Sequence, residues 1–377
     1  MLKSIFLRSH KQTFVMKKQL YLILLISIIC TRCISQDSFA AVGDWLHTNL
    51  HEIGGRGVIM VWKDGKVVYS HAENKLSGRE KATLKWMANQ KGDEAQDELQ
   101  DFSANTQKPI ASCSKWLSAA VIMTFVQEGK ISLEDTVGKY FVVMTQHKKG
   151  GITIKDCLSH LTGINAPPVI LTLEEPKESL TLDETMEKIA KMPMDGEPGK
   201  SFHYSSVGLQ IAAGVVEKVS RQRFELLFQQ RIAKPCGIKH TSFGGELVVS
   251  PAGGAWSTPE DYLQFLSMIL NDGKYNGKQI LTKESIIAMQ QDYTKGVKLD
   301  FIPDEARPWG YGFGEWVLEE GNGRGNVLSS PGLFGTFPWV DNQRKYAAIL
   351  FTTNVNFSGR HNRYSSLKSI VDEAIGK

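Results

Sequence analysis

Ser112 and Lys115 stand three residues apart in the stretch Pro109 to Ser118. On a helix that spacing puts both side chains on one face. A serine hydroxyl is a weak nucleophile until a base takes its proton, and a desolvated lysine amine beside it can serve. Alone, S-x-x-K is a weak pattern whose plainer reading is an N-capped helix with a solvated lysine. Tyr204, in Pro198 to Ser206, is a second candidate, set in a turn just before an apolar helix. A phenol beside a lysine loses its proton more easily, although packing with a satisfied hydroxyl is the commoner fate of a tyrosine. The third stretch is Leu328 to Thr336, with Ser330, Pro331 and Gly332 ahead of an apolar strand. Glycines there let a ligand approach the backbone closely, and an ordinary glycine-bearing hairpin is the competing reading.

The elements that must position these groups are legible from periodicity. After Ser112, Leu117, Ala120, Val121, Thr124 and Phe125 recur at helical spacing, and Glu128-Gly129 supplies a stop. Ser112 and Lys115 are therefore expected in the first turn of a buried helix, where the helix dipole favours a developing anion. Upstream, Asp37 to His51 reads as an amphipathic helix and Gly57 to Trp62 as a strand. An Asp64-Gly65 turn then leads into a second strand, Val67 to Ser70. Leu76 to Asn105 is polar and charged, a surface excursion with short helices. Ile152 to Asp156 opens a helix running towards His160, which reads as a histidine bonding nearby backbone rather than a catalytic one. Glu174 to Lys191 has the pattern of a solvated helix; strand patterns return in the last hundred or so residues.

Composition narrows the class of function. Residues 1 to 35 carry six basic side chains and no acidic one, and Leu20 to Ile29 is an apolar run broken only by Ser27. That is a charged region followed by a short apolar one, too brief for a membrane span. Cleavage after Ser35 and export to the periplasm or medium are expected; a lipid-anchored cysteine is the second reading. Met16 is the better start codon. The full chain is +4, but without the leader it has 38 basic and 40 acidic residues, −2 in all. This gives no case for nucleic-acid binding. Cys113, Cys157 and Cys236 remain, so a disulfide-stapled fold is excluded, and none has zinc-ligand spacing. Cys113 reads as a small core residue. No G-x-S-x-G elbow, H-E-x-x-H or phosphate loop occurs, and the glycines of 310–314 and 321–325 lack dinucleotide spacing.

Ser112-x-x-Lys115, Tyr204-x-Ser206 and Ser330-Pro331-Gly332 together resemble, in order and spacing, the three boxes of the penicillin-recognising serine hydrolases. That superfamily holds class C β-lactamases, D,D-peptidases and β-lactamase-like carboxylesterases. Leu158 to Gly163, Pro251 to Asp261 and Trp309 to Gly314 resemble further segments of it, so the likeness spans nearly all of the chain after the leader. Two positions depart. Ser206 stands where the second box usually ends in Asn, and offers a hydroxyl to Lys115 but no amide to a substrate. Ser330 stands where the third box usually opens with Lys or His, which removes a cation for a substrate carboxylate. Arg324 or Arg344 could supply the charge, though a solvated surface arginine is the plainer reading of each.

The resemblance implies an α+β fold: an antiparallel β-sheet flanked by helices, with an inserted, mainly helical lobe. The sheet lobe would take about 36–118 and 245–377, the helical lobe about 119–244, and the site would lie where they meet. It implies that Ser112 attacks a carbonyl, that Lys115 and Tyr204 share the base role, and that the N–H groups of Ser112 and Leu333 hold the oxyanion. Ser206, Ser330 and Gly332 would contact substrate; no metal or cofactor is called for. The expected substrate is a small ester, amide or lactam. With the third-box cation missing, an esterase-like hydrolase on neutral or small acyl substrates is expected ahead of a β-lactamase or D-amino-acid peptidase. A binding or sensor module on the same fold, acylated slowly or not at all, is the reading from another class.

Overall fold

The computed structural model describes residues 36–91, 100–167, 181–245 and 248–376. The leader over 1–35 and the first part of the 174–191 segment lie outside the described residues. The strands that matter for the site are β1 (Arg56–Lys63), β2 (Lys66–Asn74), β3 (Ser201–His203), β4 (Lys298–Phe301), β5 (Gly310–Tyr311), β6 (Trp316–Glu320), β7 (Gly325–Ser329), β8 (Phe337–Asp341) and β9 (Tyr346–Phe351). The helices that matter here are α1 (Ala40–Asn49), α2 (Ser114–Gln127), α3 (Ile154–Leu158), α4 (Leu182–Lys191), α5 (Val207–Ser220), α6 (Pro259–Leu270) and α7 (Arg360–Ile375).

Seven strands form one antiparallel sheet in the order β2-β1-β9-β8-β7-β6-β5, joining the two ends of the described chain. The β1–β2 hairpin closes on Asp64 and Gly65, both at positive φ (52° and 84°), the backbone that Asp-Gly supplies at a tight turn. β1 and β9 are apolar at nearly every position because both sheet faces are covered. Val58 and Met60, with Ala347 and Ile349, face the larger core. Ile59 and Val61, with Ala348 and Leu350, face a second core closed by Phe39, Val42 and Leu46 near α1 and Leu367 and Val371 of α7. This is the β-lactamase/transpeptidase-like architecture, with helices on an antiparallel sheet and a mainly helical stretch between its N- and C-terminal strands.

α2 is buried from Ser114 through Phe125, so it runs through the core rather than along it. It packs against α5 on one side, while α6 packs on β1, β8 and β9. Local stops and starts are chemically plain. α3 begins with a capping box between Thr153 and Asp156, α4 with one between Thr181 and Glu184, and α6 with Thr258 ahead of Pro259. In one respect the structure differs from the expected first turn. Ser112 lies in a 3-10 turn, Ala111–Cys113, and the α-helix starts at Ser114. The cause is Ala111, whose φ of +46° is left-handed and cannot belong to a right-handed helix.

α5 approaches α3 so closely that a Cβ on Gly208 would lie 2.2 Å from the carbonyl oxygen of Cys157. Gly208→Ala is expected to lose about 1–3 kcal/mol of stability, read by urea denaturation. An unchanged midpoint would show that α5 has room to move.

Candidate active site

The three stretches singled out above meet at one cleft. Ser112 is held from three directions. Tyr262 of α6 donates its hydroxyl to the Cys113 carbonyl at 2.8 Å, and Ser114 Oγ accepts from the Ala255 N–H at 3.0 Å. From the third side, Ser118 Oγ donates to the Pro251 carbonyl at 2.6 Å. The segment 251–255 thus wraps the start of α2. Ala111, in a left-handed conformation that costs a non-glycine residue roughly 1–2 kcal/mol, turns the chain just ahead of Ser112.

Lys115 Nζ lies 3.1 Å from Ser112 Oγ and 2.8 Å from the Ala252 carbonyl oxygen. The side chain is completely buried and has no carboxylate within ion-pair distance among the described residues. Burial penalises the ammonium, and its pKa falls to about 7. Tyr204 sits on the other side, its ring centroid 4.9 Å from Lys115 Nζ, and its own N–H is fixed on the Phe301 carbonyl beside β4. Burial raises the Tyr204 phenol well above its ordinary value, against the smaller opposing effect of a hydrogen bond with Ser112. The amine, not the phenol, is therefore the group that titrates near neutrality. Desolvation thus outweighs the help that the nearby lysine was expected to give the phenol's ionisation.

His160 contributes more than the backbone bond expected of it. Buried at positive φ (58°), it shares a 3.0 Å hydrogen bond with the Tyr311 hydroxyl and packs its ring 4.8 Å from that of Tyr204. Burial, and then the Lys115 charge, hold its imidazole well below its usual pKa and so neutral. Trp316 braces the other side of Tyr204 at 5.1 Å between ring centroids. These aromatic supports were not singled out from the sequence. The only signal was the Trp309 to Gly314 segment, which carries Tyr311 to the edge of the sheet.

The third stretch divides. Gly332 lines the cleft, and a Cβ there would come 2.5 Å from the Ile110 carbonyl oxygen, so a side chain would push the strand away from Ser112. Among the described residues the N–H groups of Ser112 and Leu333 donate to no protein acceptor. Ser330, by contrast, is buried and its hydroxyl lies 3.1 Å from the Ser112 carbonyl and 3.0 Å from that of Gly314. It fastens β7 to the Ser112 turn and does not line the cleft. Ser206 is the residue before α5; the Lys115 amine bonds Ser112 and Ala252, and Ser206 is not among its partners. Arg324 pairs with Asp272, and Arg344 with Asp341 and Asp372, so neither brings a charge to the cleft. Cys113 is fully buried, its thiol pushed up by burial.

A beta-lactamase family model matches residues 48–368. The chain belongs to the beta-lactamase family. It is 20% identical over 303 residues to AmpH of Escherichia coli, a D-alanyl-D-alanine-carboxypeptidase/endopeptidase, covering 71% of this chain and 76% of AmpH. Its fold superposes on a beta-lactamase candidate of Bacteroides dorei with a TM-score of 0.73 at 24% identity, covering 90% of this chain and 99% of the other. EstCE1, a hydrolase with promiscuous acyltransferase activity, gives a TM-score of 0.67 at 20% identity over 90% and 99% of the two chains. At these identities the solved structures speak for the fold. Family membership makes the chain a beta-lactamase-family serine hydrolase, whose relatives include peptidases, esterases and acyltransferases. Among the described residues no helix is long and apolar enough to cross a membrane.

The buried amine has a thermodynamic signature. Lys115 has a pKa of about 7 when folded and an ordinary lysine value of about 10.4 when unfolded. Between those values the unfolded chain binds the extra proton, so stability rises with pH across that window by up to about 1.4 kcal/mol per unit. Against Lys115→Met as reference, the wild type is expected to gain several kcal/mol in relative stability between pH 7 and pH 10. Parallel stability curves for the two proteins would contradict the depressed pKa.

Proposed function

We propose that the protein is a hydrolase that forms an acyl-enzyme on Ser112 and acts, esterase-like, on neutral or small acyl substrates. The observation that carries this is the 3.1 Å contact between Ser112 Oγ and an amine whose pKa burial lowers to about 7. A base with a pKa close to the working pH combines the right protonation state with enough basicity. In the reading we favour, Ser112 Oγ bonds to the substrate carbonyl carbon as its proton passes to Lys115 Nζ. The protonated Tyr204 phenol then gives its proton to the departing alkoxide or amine and recovers one from Lys115. Water attacks the acyl-enzyme through the same groups in reverse and releases the acid. The N–H groups of Ser112 and Leu333 receive the oxyanion, each worth roughly 3–4 kcal/mol.

The ester preference rests on Ser330. Its hydroxyl is spent on backbone carbonyls, so the third stretch offers no cation for the carboxylate of a β-lactam or a peptide C-terminus. Peptidase action on D-amino-acid peptides is the second reading, supported by the likeness to AmpH. Export is part of the same proposal, on the composition of residues 1–35.

With p-nitrophenyl butyrate as substrate, Ser112→Ala is expected to lose at least about a thousandfold in kcat and to lose fluorophosphonate labelling. Neither turnover nor labelling of the wild type would favour a binding module instead. The pH profile of kcat/KM is expected to rise through a midpoint near the lysine value of about 7, because only the unprotonated amine can accept the serine proton. A profile flat from pH 5 to 9 would remove Lys115 from the base role.

A further inference from the structure

The cleft has a volume of about 740 Å³ and reaches well past Ser112 and Tyr204, between the 299–309 loop and the first turn of α7. Its ionised lining is mostly self-compensated. Asp300 pairs with Lys298 at 2.5 Å, and Asp304 with Arg307 at 2.7 Å. Two charges remain without an ion-pair partner among the described residues, Glu305 and Arg360. They are not equivalent. Arg360 is 4% exposed, donates to the carbonyls of Leu333 and Asn354 at 3.0 and 2.9 Å, and lies 4.4 Å over the Phe357 ring. Its guanidinium ties α7 to the turn at Leu333 between β7 and β8 and is covered. Glu305 is half-buried and its carboxylate has no hydrogen-bond donor among the described residues; only its carbonyl is used, by His361 Nδ1 at 2.8 Å.

A half-buried carboxylate with no ion-pair partner among the described residues is open to a cation from outside the chain. The half-buried indole of Trp309 lines the same cleft, while Trp316 is 3% exposed and spent on bracing Tyr204; an aromatic face in the same cleft as a carboxylate is a setting that attracts an ammonium group. The Tyr204 phenol, raised first by burial, is raised further by more distant charges that include Glu305, so the carboxylate's field reaches the reacting groups.

We propose that Glu305, with Trp309, forms a subsite for a substituted ammonium group, and that the substrate is a small acyl compound bearing such a cation. This narrows the acyl-transfer reading above and rests on it for turnover, but the subsite itself can be read by binding alone. An anionic substrate is disfavoured there, since the carboxylate repels it and Arg360 is covered.

The decisive probes are three soluble molecules of one shape: choline, neutral 3,3-dimethylbutan-1-ol and anionic 3,3-dimethylbutanoate. Binding to the full chain is read by quenching of tryptophan fluorescence and by calorimetry, with no chemistry required. Choline is expected to bind at least about tenfold tighter than the alcohol, with that ratio falling to about one in Glu305→Gln. Equal binding of choline and the alcohol, an unchanged ratio in Glu305→Gln, or preference for the carboxylate would each overturn the subsite, the last in favour of Arg360. Turnover is followed separately with acetylthiocholine and 3,3-dimethylbutyl thioacetate. Selective choline binding without thioester cleavage would keep the subsite and sink the hydrolase reading. Cleavage without choline selectivity would do the reverse.

Discussion

A lysine amine with no carboxylate beside it among the described residues lies buried against Ser112 of the cleft, and the surrounding structure is arranged around that unfavourable burial. Removing an ammonium from water costs several kcal/mol even after relaxation, so the group gives up its proton instead. The fold tolerates this because α2 is buried all round and because the Ala252 carbonyl supplies a partner at 2.8 Å that accepts whether or not the amine is charged. The same burial that depresses Lys115 raises Tyr204 and lowers His160, so charge is disfavoured at each group around the serine. Proton transfer then begins in a desolvated site, where backbone dipoles act at low effective dielectric.

Ser330 shows how one substitution can move a position from recognition to architecture. A lysine or histidine there would point a cation at the substrate; the serine turns inward and fastens β7 to the carbonyls of Ser112 and Gly314. The cleft consequently draws its charge from elsewhere, chiefly from the 299–309 loop and the start of α7.

Much of this was legible in the sequence for identifiable reasons. The hairpin at Asp64-Gly65, the apolar face beginning at Leu117 and the Thr-capped helix after Ile152 are local signals, set by turn geometry and period, and the strands and helices follow them closely. The Ser112, Lys115 and Tyr204 stretches stood out by spacing and order. What could not be read locally depends on contacts distant in sequence. The left-handed Ala111 is imposed by its surroundings and not by an alanine's own preference. His160 looked like a lone histidine because its partner Tyr311 lies 151 residues away. Glu305 sat unnoticed in a polar loop, and only the pairing of its neighbours Asp300 and Asp304 sets it apart.

The central claim is that burial beside Ser112 brings the titration of the Lys115 amine down to neutral pH. Isotopic labelling of lysine ε-carbons, with the Lys115 signal assigned by its loss in Lys115→Met, reads this directly by NMR titration. The account predicts a midpoint near the depressed value of about 7, well separated from the solvated lysines. A Lys115 signal that titrates with the surface lysines, near the ordinary value of about 10.4, would contradict it.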